Sequence, residues 1–132
     1  LTKTARCELR LNEKRLANRM THWRRIMISA CEQSGRTRVP TLHAPQSLDD
    51  VLASTESLKR YCLEPSANAG ELQVSGDDVC LFTGPEGGFD DKETRLLQER
   101  TTSVQLGELV LRAETAPIVG LALLGASRRA LK

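Results

Sequence analysis

Three clusters of polar and glycine residues in this sequence have the make-up of ligand-binding or reactive sites. The first is Thr83-Gly84-Pro85-Glu86-Gly87-Gly88-Phe89, which follows directly on the apolar run Val79-Cys80-Leu81-Phe82. Its glycines let a backbone approach a ligand closely and offer N–H groups without obstruction by side chains. The loop lacks the G-K-[S/T] ending of a phosphate-cradling Walker loop and is not G-x-G-x-x-G, so a nucleotide-phosphate site is disfavoured. The second cluster runs from Leu106-Gly107 through Leu109-Val110-Leu111-Arg112-Ala113-Glu114-Thr115-Ala116. It would set a fixed cation and a possible base side by side, which suits proton transfer. Helix capping by Thr115, with Glu114 near a helix N-terminus, is the plain structural alternative. The third is Glu32-Gln33-Ser34-Gly35-Arg36, which could also be a polar helix end.

The elements that must position these residues are partly legible. Leu16, Met20, Trp23, Met27 and Ala30 recur at steps of three and four, so residues 12–34 are predicted to form a helix. Asn12 suits its N-cap and Gly35 its C-terminal stop, and Ser29, Gln33 and Arg36 gather on a neighbouring stripe. Strands are predicted at 39–42, 58–63, 79–82, 103–106 and 109–111, with a short helix from Pro45 and Ser47 through Leu52. Asp90 with Glu93 three residues later resembles a capping box, and Leu96-Leu97 supply the apolar face of the helix it opens. A final helix from about Thr115 tolerates Pro117 in its first turn and is apolar nearly all round, so it is expected to be buried on more than one side. Strands alternating with helices indicate an α/β fold, and open sheets of that class bind ligands beyond the carboxyl ends of their strands.

Composition narrows the choices. The chain has 132 residues, 39% of them hydrophobic and 27% charged, which fits one globular domain and argues against disorder, collagen-like repeats and coiled coil. The apolar stretch 118–126 is about half of the roughly 20 residues that a membrane span requires. Cys7, Cys31, Cys62 and Cys80 are scattered, with no C-x-x-C pair and no histidine at metal spacing, so they read as reduced thiols and no metal site is expected. His22 and His43 are read as surface or core residues and not as catalytic ones. Charge is strongly asymmetric. Residues 1–38 hold ten of the 19 Lys and Arg and three of the 17 Asp and Glu. A basic end on a neutral body suits a phosphate-rich partner, because neutralising phosphates releases counterions. Aromatic residues make up only 3%, which disfavours binding of single strands by base stacking.

Taken together, Ala-Cys-Glu-Gln-Ser-Gly-Arg at 30–36, Thr-Gly-Pro-Glu-Gly-Gly-Phe at 83–89 and Leu-Gly-x-x-Val-Leu-Arg-Ala-Glu-Thr-Ala at 106–116 resemble the RsmE-type RNA methyltransferases of the SPOUT superfamily. Order and spacing agree, with Trp23-Arg24-Arg25-Ile26 upstream, and the resemblance spans about residues 16–126. It implies an α/β parallel sheet flanked by helices, with a C-terminal deep trefoil knot, an exception to the rule against knotted chains. It also implies S-adenosylmethionine as cofactor, N3 of a uridine near the decoding site of 16S rRNA or the small ribosomal subunit as target, a homodimer, no membrane and a cytoplasmic location. By that analogy the cofactor would be held by Leu81, Thr83, Gly84, Pro85, Glu86, Gly87, Gly88, Leu106, Gly107, Val110, Leu111 and Ala116. Arg112 and Glu114 would serve catalysis, and Arg24, Arg25, Gln33 and Arg36 would contact RNA.

Two departures accompany the resemblance. Leu109 stands where the family usually carries arginine. The family's N-terminal PUA-like RNA-binding barrel and its opening SPOUT strand and helix are not found, so residues 1–132 are expected to be a SPOUT domain without them. A non-catalytic rRNA-binding or ribosome-assembly module is the alternative function, with Leu109 as its mark. A phosphate-binding hydrolase lacks the lysine and metal carboxylates it would need. If the basic segment binds RNA through, for example, about four phosphates, log affinity measured against log salt should fall with a slope of roughly −3 to −4. A flat salt response would remove this segment as the RNA surface.

Overall fold

The computed structural model describes residues 2–6, 12–65, 70–71 and 78–130. The chain divides into two units: Leu1–Lys3 with Glu8–Ser47, and Thr4–Cys7 with Leu48–Lys132.

In the first unit, strands β1 (Thr2–Lys3) and β2 (Gln46–Ser47) pair in parallel, and helix α1 spans Glu13–Ser34. Local chemistry sets both ends of α1. Asn12 accepts a hydrogen bond from Arg15 N at 2.9 Å, and the left-handed Gly35 and Arg36 N–H groups donate back to carbonyls of the last turn. Leu16, Met20, Trp23 and Met27 form its half-buried stripe, which closes on the buried Cys31 and not on Ala30, which is exposed. The segment 39–42, expected as a strand, is irregular: Val39 is exposed, Pro40 has no N–H to give to a ladder, and no strand among the described residues pairs with it.

The second unit is built on β3 (Lys59–Leu63), β4 (Gly70–Glu71), β5 (Val79–Thr83) and β6 (Thr102–Gln105), all parallel, in the order β4-β6-β3-β5. Helices α2 (Leu48–Ser54), α3 (Asp91–Arg100) and α4 (Thr115–Ala130) accompany them. Because side chains alternate along a strand, Cys62, Cys80 and Phe82 share one face of the sheet, where they pack with Leu48 and Leu52 of α2 and Leu96 and Leu97 of α3. The opposite face carries Leu63 and Leu81, which meet α4. Parallel strands buried on both faces account for the near-continuous apolar character of β5.

The start of α3 fulfils the capping box read from the sequence. Asp90 Oδ1 accepts from Lys92 N and Glu93 N, and Glu93 Oε2 accepts from Asp90 N at 2.9 Å. Residues 109–111, expected as a strand, instead form part of an irregular loop between β6 and α4. Leu109 is 80% exposed and Val110 75%, and no strand among the described residues pairs with them. Helix α4 also differs from expectation within the single chain. Gly120 and Leu124 face the sheet and are buried, whereas Ile118, Leu121 and Leu123 remain exposed, with no element among the described residues covering the outer side.

Gly120 is where α4 touches the sheet most closely. A Cβ placed there would lie 2.8 Å from Leu81 Cδ2 and 3.2 Å from Leu63 Cδ1. Both neighbours are the tips of flexible side chains, so one methyl can be absorbed and a larger group cannot. Gly120→Ala is expected to change stability by less than about 1 kcal/mol, its steric cost offset by better helix propensity. Gly120→Leu, also a good helix former, should destabilise by about 1–3 kcal/mol through overpacking, as read by urea unfolding.

Candidate functional site

The carboxyl ends of β3, β5 and β6 open into one cleft of about 540 Å³ within the second unit. This is the place where open parallel sheets bind ligands, and the size suits a small organic molecule. Three segments wall it. The first is the last residue of β5 with the loop after it: Thr83, Gly84, Pro85, Glu86, Gly88 and Phe89. The second follows β6 and reaches α4, with Leu106, Gly107, Val110, Leu111 and Ala116 among its members. The third, Cys62 to Pro65, ends β3.

The Gly-rich loop owes its form to a tight turn and a close packing. Gly88 N donates to Pro85 O at 2.8 Å, and Gly88 closes the turn at φ +69°, which a side chain would strain. Gly84 sits against the Phe89 ring, whose Cε2 lies 3.2 Å from where a Cβ would be. The ring anchors in the core below α3 and floors the cleft at the same time.

Arg112 and Glu114 meet at the cleft, their charged groups 3.9 Å apart and their side chains 86% and 62% exposed. So exposed a pair contributes little to stability, and both groups are free to turn to a ligand. The main chain here is firmly held. The Arg112 carbonyl accepts from Thr115 N at 2.9 Å and from Ala116 N at 3.0 Å, so it starts α4, and Thr115 is the first helical residue instead of its cap.

Of the residues expected to hold a cofactor, Leu81 and Gly87 stand outside the lining. Leu81 lies inside β5, under Gly120, and borders a separate apolar groove with Leu58, Val79, Leu121 and Leu124. Gly87 turns its carbonyl away to accept a hydrogen bond from Arg6. Arg24, Arg25, Gln33 and Arg36 belong to the first unit, and all are exposed. Arg25 and Gln33 share a stripe of α1 with Ser29, at helical spacing.

Glu64, Cys62 and Gln105 also line the cleft, and sequence reasoning missed them. Glu64 accepts a hydrogen bond from Ser103 Oγ at 2.9 Å, which fixes its carboxylate beside β6. Had β3 been placed beside β5, the rule that ligands sit beyond strand carboxyl ends would have pointed to residues 62–65. The Cys62 thiol is pushed up to about 12, first by burial and second by the Glu64 charge. It therefore stays protonated at neutral pH and is no nucleophile, since the thiolate is the reactive form. Among the described residues no group of three or more His, Cys, Asp or Glu is placed to hold a metal, and no helix is long and apolar enough to cross a membrane.

Known proteins are similar to this chain in sequence and in fold. The ribosomal RNA small subunit methyltransferase E of Synechocystis is 36% identical over 118 residues, 83% of this chain and 39% of that protein. That of Rickettsia conorii is 33% identical over 105 residues, 74% of this chain and 43% of its own length. A Legionella pneumophila methyltransferase, solved with its cofactor S-adenosylmethionine bound, superposes with a TM-score of 0.86 at 37% identity, over 96% of this chain and 53% of that one. The Neisseria gonorrhoeae small subunit methyltransferase E, also solved with S-adenosylmethionine, gives 0.82 at 35% identity, over 93% and 52%. The chain thus spans about half the length of the relatives it matches. The RNA methyltransferase domain family matches residues 1–125, the stretch that holds all three motifs and the whole cleft wall, and the chain belongs to that family.

Proposed function

We propose that this chain is the S-adenosylmethionine-binding and catalytic portion of an enzyme that methylates N3 of a uridine in 16S rRNA. The observation that carries the reading is the cleft itself. Its Gly-rich loop and its 106–116 wall are the sequence motifs of the resemblance, and they converge at the strand ends. Relatives matched across these segments are solved with S-adenosylmethionine.

The residues present fit that cofactor. Leu63, Pro85, Leu106, Val110 and Leu111 offer apolar surface for a flat heterocycle, and the glycines expose backbone donors and acceptors. Glu64, Glu86 and Glu114 give the cleft carboxylates that suit a cationic ligand. When bound, S-adenosylmethionine supplies a methyl group activated by a sulfonium. The chain's own task is to orient the uracil and manage its N3 proton. Arg112 holds negative charge on the uracil oxygens, and Glu114 accepts or orients the proton. Their mutual contact leaves the two groups close enough to serve one heterocycle.

RNA would be held by the basic first unit, with Arg24, Arg25, Gln33 and Arg36 as contacts to phosphate or base. Exposed Lys14, Arg15 and Arg19 on the same helix support this, since phosphate contacts give most of the sequence-independent affinity. A homodimer in the cytoplasm and a knotted passage of the C-terminal segment belong to the same reading. The exposed Ile118 and Leu121 of α4, with Leu109 and Val110 of the loop before it, support a second copy as their cover. Leu109 also favours a second reading, a module that binds rRNA without turnover, because an arginine of the family is missing beside the cleft.

Transfer of labelled methyl to small subunits that lack the modification separates the two, with the product mapped by mass spectrometry. The expected product is 3-methyluridine. Arg112→Ala and Glu114→Ala should each lower the single-turnover rate about 10²-fold or more, and an unchanged rate removes that residue from the mechanism.

A further inference from the structure

Thr4, Ala5 and Arg6 belong to the unit that contains the cleft, although they lie far from it in sequence. Two long-range hydrogen bonds tie them to the Gly-rich loop and the helix behind it. Arg6 Nη1 donates to the Gly87 carbonyl at 2.8 Å. Ala5 N donates to Glu93 Oε1 at 2.7 Å, while the other oxygen of Glu93 accepts from Asp90 N in the cap of α3. The contact is also steric: a Cβ on Gly87 would lie 3.4 Å from Arg6 Cβ and 3.6 Å from Cδ.

This arrangement addresses a weakness of the loop. A run of glycines is costly in conformational entropy to hold in one shape. The backbone hydrogen bond from Gly88 N to Pro85 O closes one turn and leaves the Gly87 carbonyl to be held from elsewhere. Gly84, Pro85, Glu86 and Gly88 line the cleft, and Gly87, between them, turns to Arg6. We infer that Arg6 is a positioning residue: acting from outside the cleft through the Gly87 carbonyl, it holds the Gly-rich loop in the shape that receives the cofactor. The inference rests on the S-adenosylmethionine reading. Arg6 itself is exposed, so its bond matters to the loop and little to global stability.

The test compares wild type, Arg6→Ala and Arg6→Lys by calorimetric titration with S-adenosylhomocysteine, by thermal melting, and by amide hydrogen exchange at Gly88. Arg6→Ala should weaken binding about tenfold and speed exchange at Gly88, with the melting temperature unchanged within about 2 °C. Arg6→Lys retains a cationic donor and should recover part of the affinity. Equal affinity in all three proteins overturns the inference, as does a loss of affinity that comes with a lowered melting temperature and faster exchange throughout the sheet. Absence of binding by wild type would instead overturn the cofactor reading, and exchange at Gly88 would then decide alone whether Arg6 holds the loop.

Discussion

The close seating of α4 on the sheet at Gly120 is the constraint on which the site depends. With no side chain at that position, the helix settles against Leu63, Leu81 and Leu106. Leu63 and Leu106 stand at the carboxyl ends of β3 and β6, so the first turn of α4 is delivered to the same edge of the sheet. The loop from 106 to 114 then has to cross that edge to reach α4, and in crossing it becomes one wall of the cleft. A bulkier residue at 120 would lift α4 and with it Arg112, whose carbonyl starts the helix.

The opposite wall depends on different physics. Phe89 binds the Gly-rich loop to the core shared by α2, α3 and β5, and the Asp90–Glu93 capping box fixes where the loop must become helix. Between the walls, the end of β3 supplies a carboxylate held by Ser103 and a thiol kept neutral by burial. The cleft thus combines a floor packed on the core with exposed charges on Arg112 and Glu114. Hydrogen-bonded backbone with exposed charged side chains at the rim is the division that the proposed binding of a small cofactor beside a larger substrate would use.

What could be read from the sequence follows the range of the interactions. Asn12, Gly35, Asp90 and Glu93 act within one helical turn, and the boundaries they set were legible. The run 79–82 was legible because burial on both faces leaves an apolar signature. The sheet order was not: β3 lies between β5 and β6 through pairings across many residues, and that hid Cys62 and Glu64 from a reading made along the chain. The two-residue strands β1, β2 and β4 are too short to show any period. Residues 109–111 misled because an apolar run can be a loop wall as well as a strand. The family motifs located the cleft, yet they could not tell that Leu81 points to α4 or that Gly87 serves Arg6.

The role proposed for the cleft between the Gly-rich loop and the 106–116 wall is to receive S-adenosylmethionine. It is tested most directly by titrating the isotopically labelled 14.6 kDa chain with S-adenosylhomocysteine and following its amide NMR signals. Binding in this cleft should give saturable shifts concentrated at residues 83–88 and 106–116, with α2 little affected. Saturable shifts centred instead on the groove of Leu58, Val79 and Leu121, or no shifts in a folded chain at millimolar ligand, would contradict it.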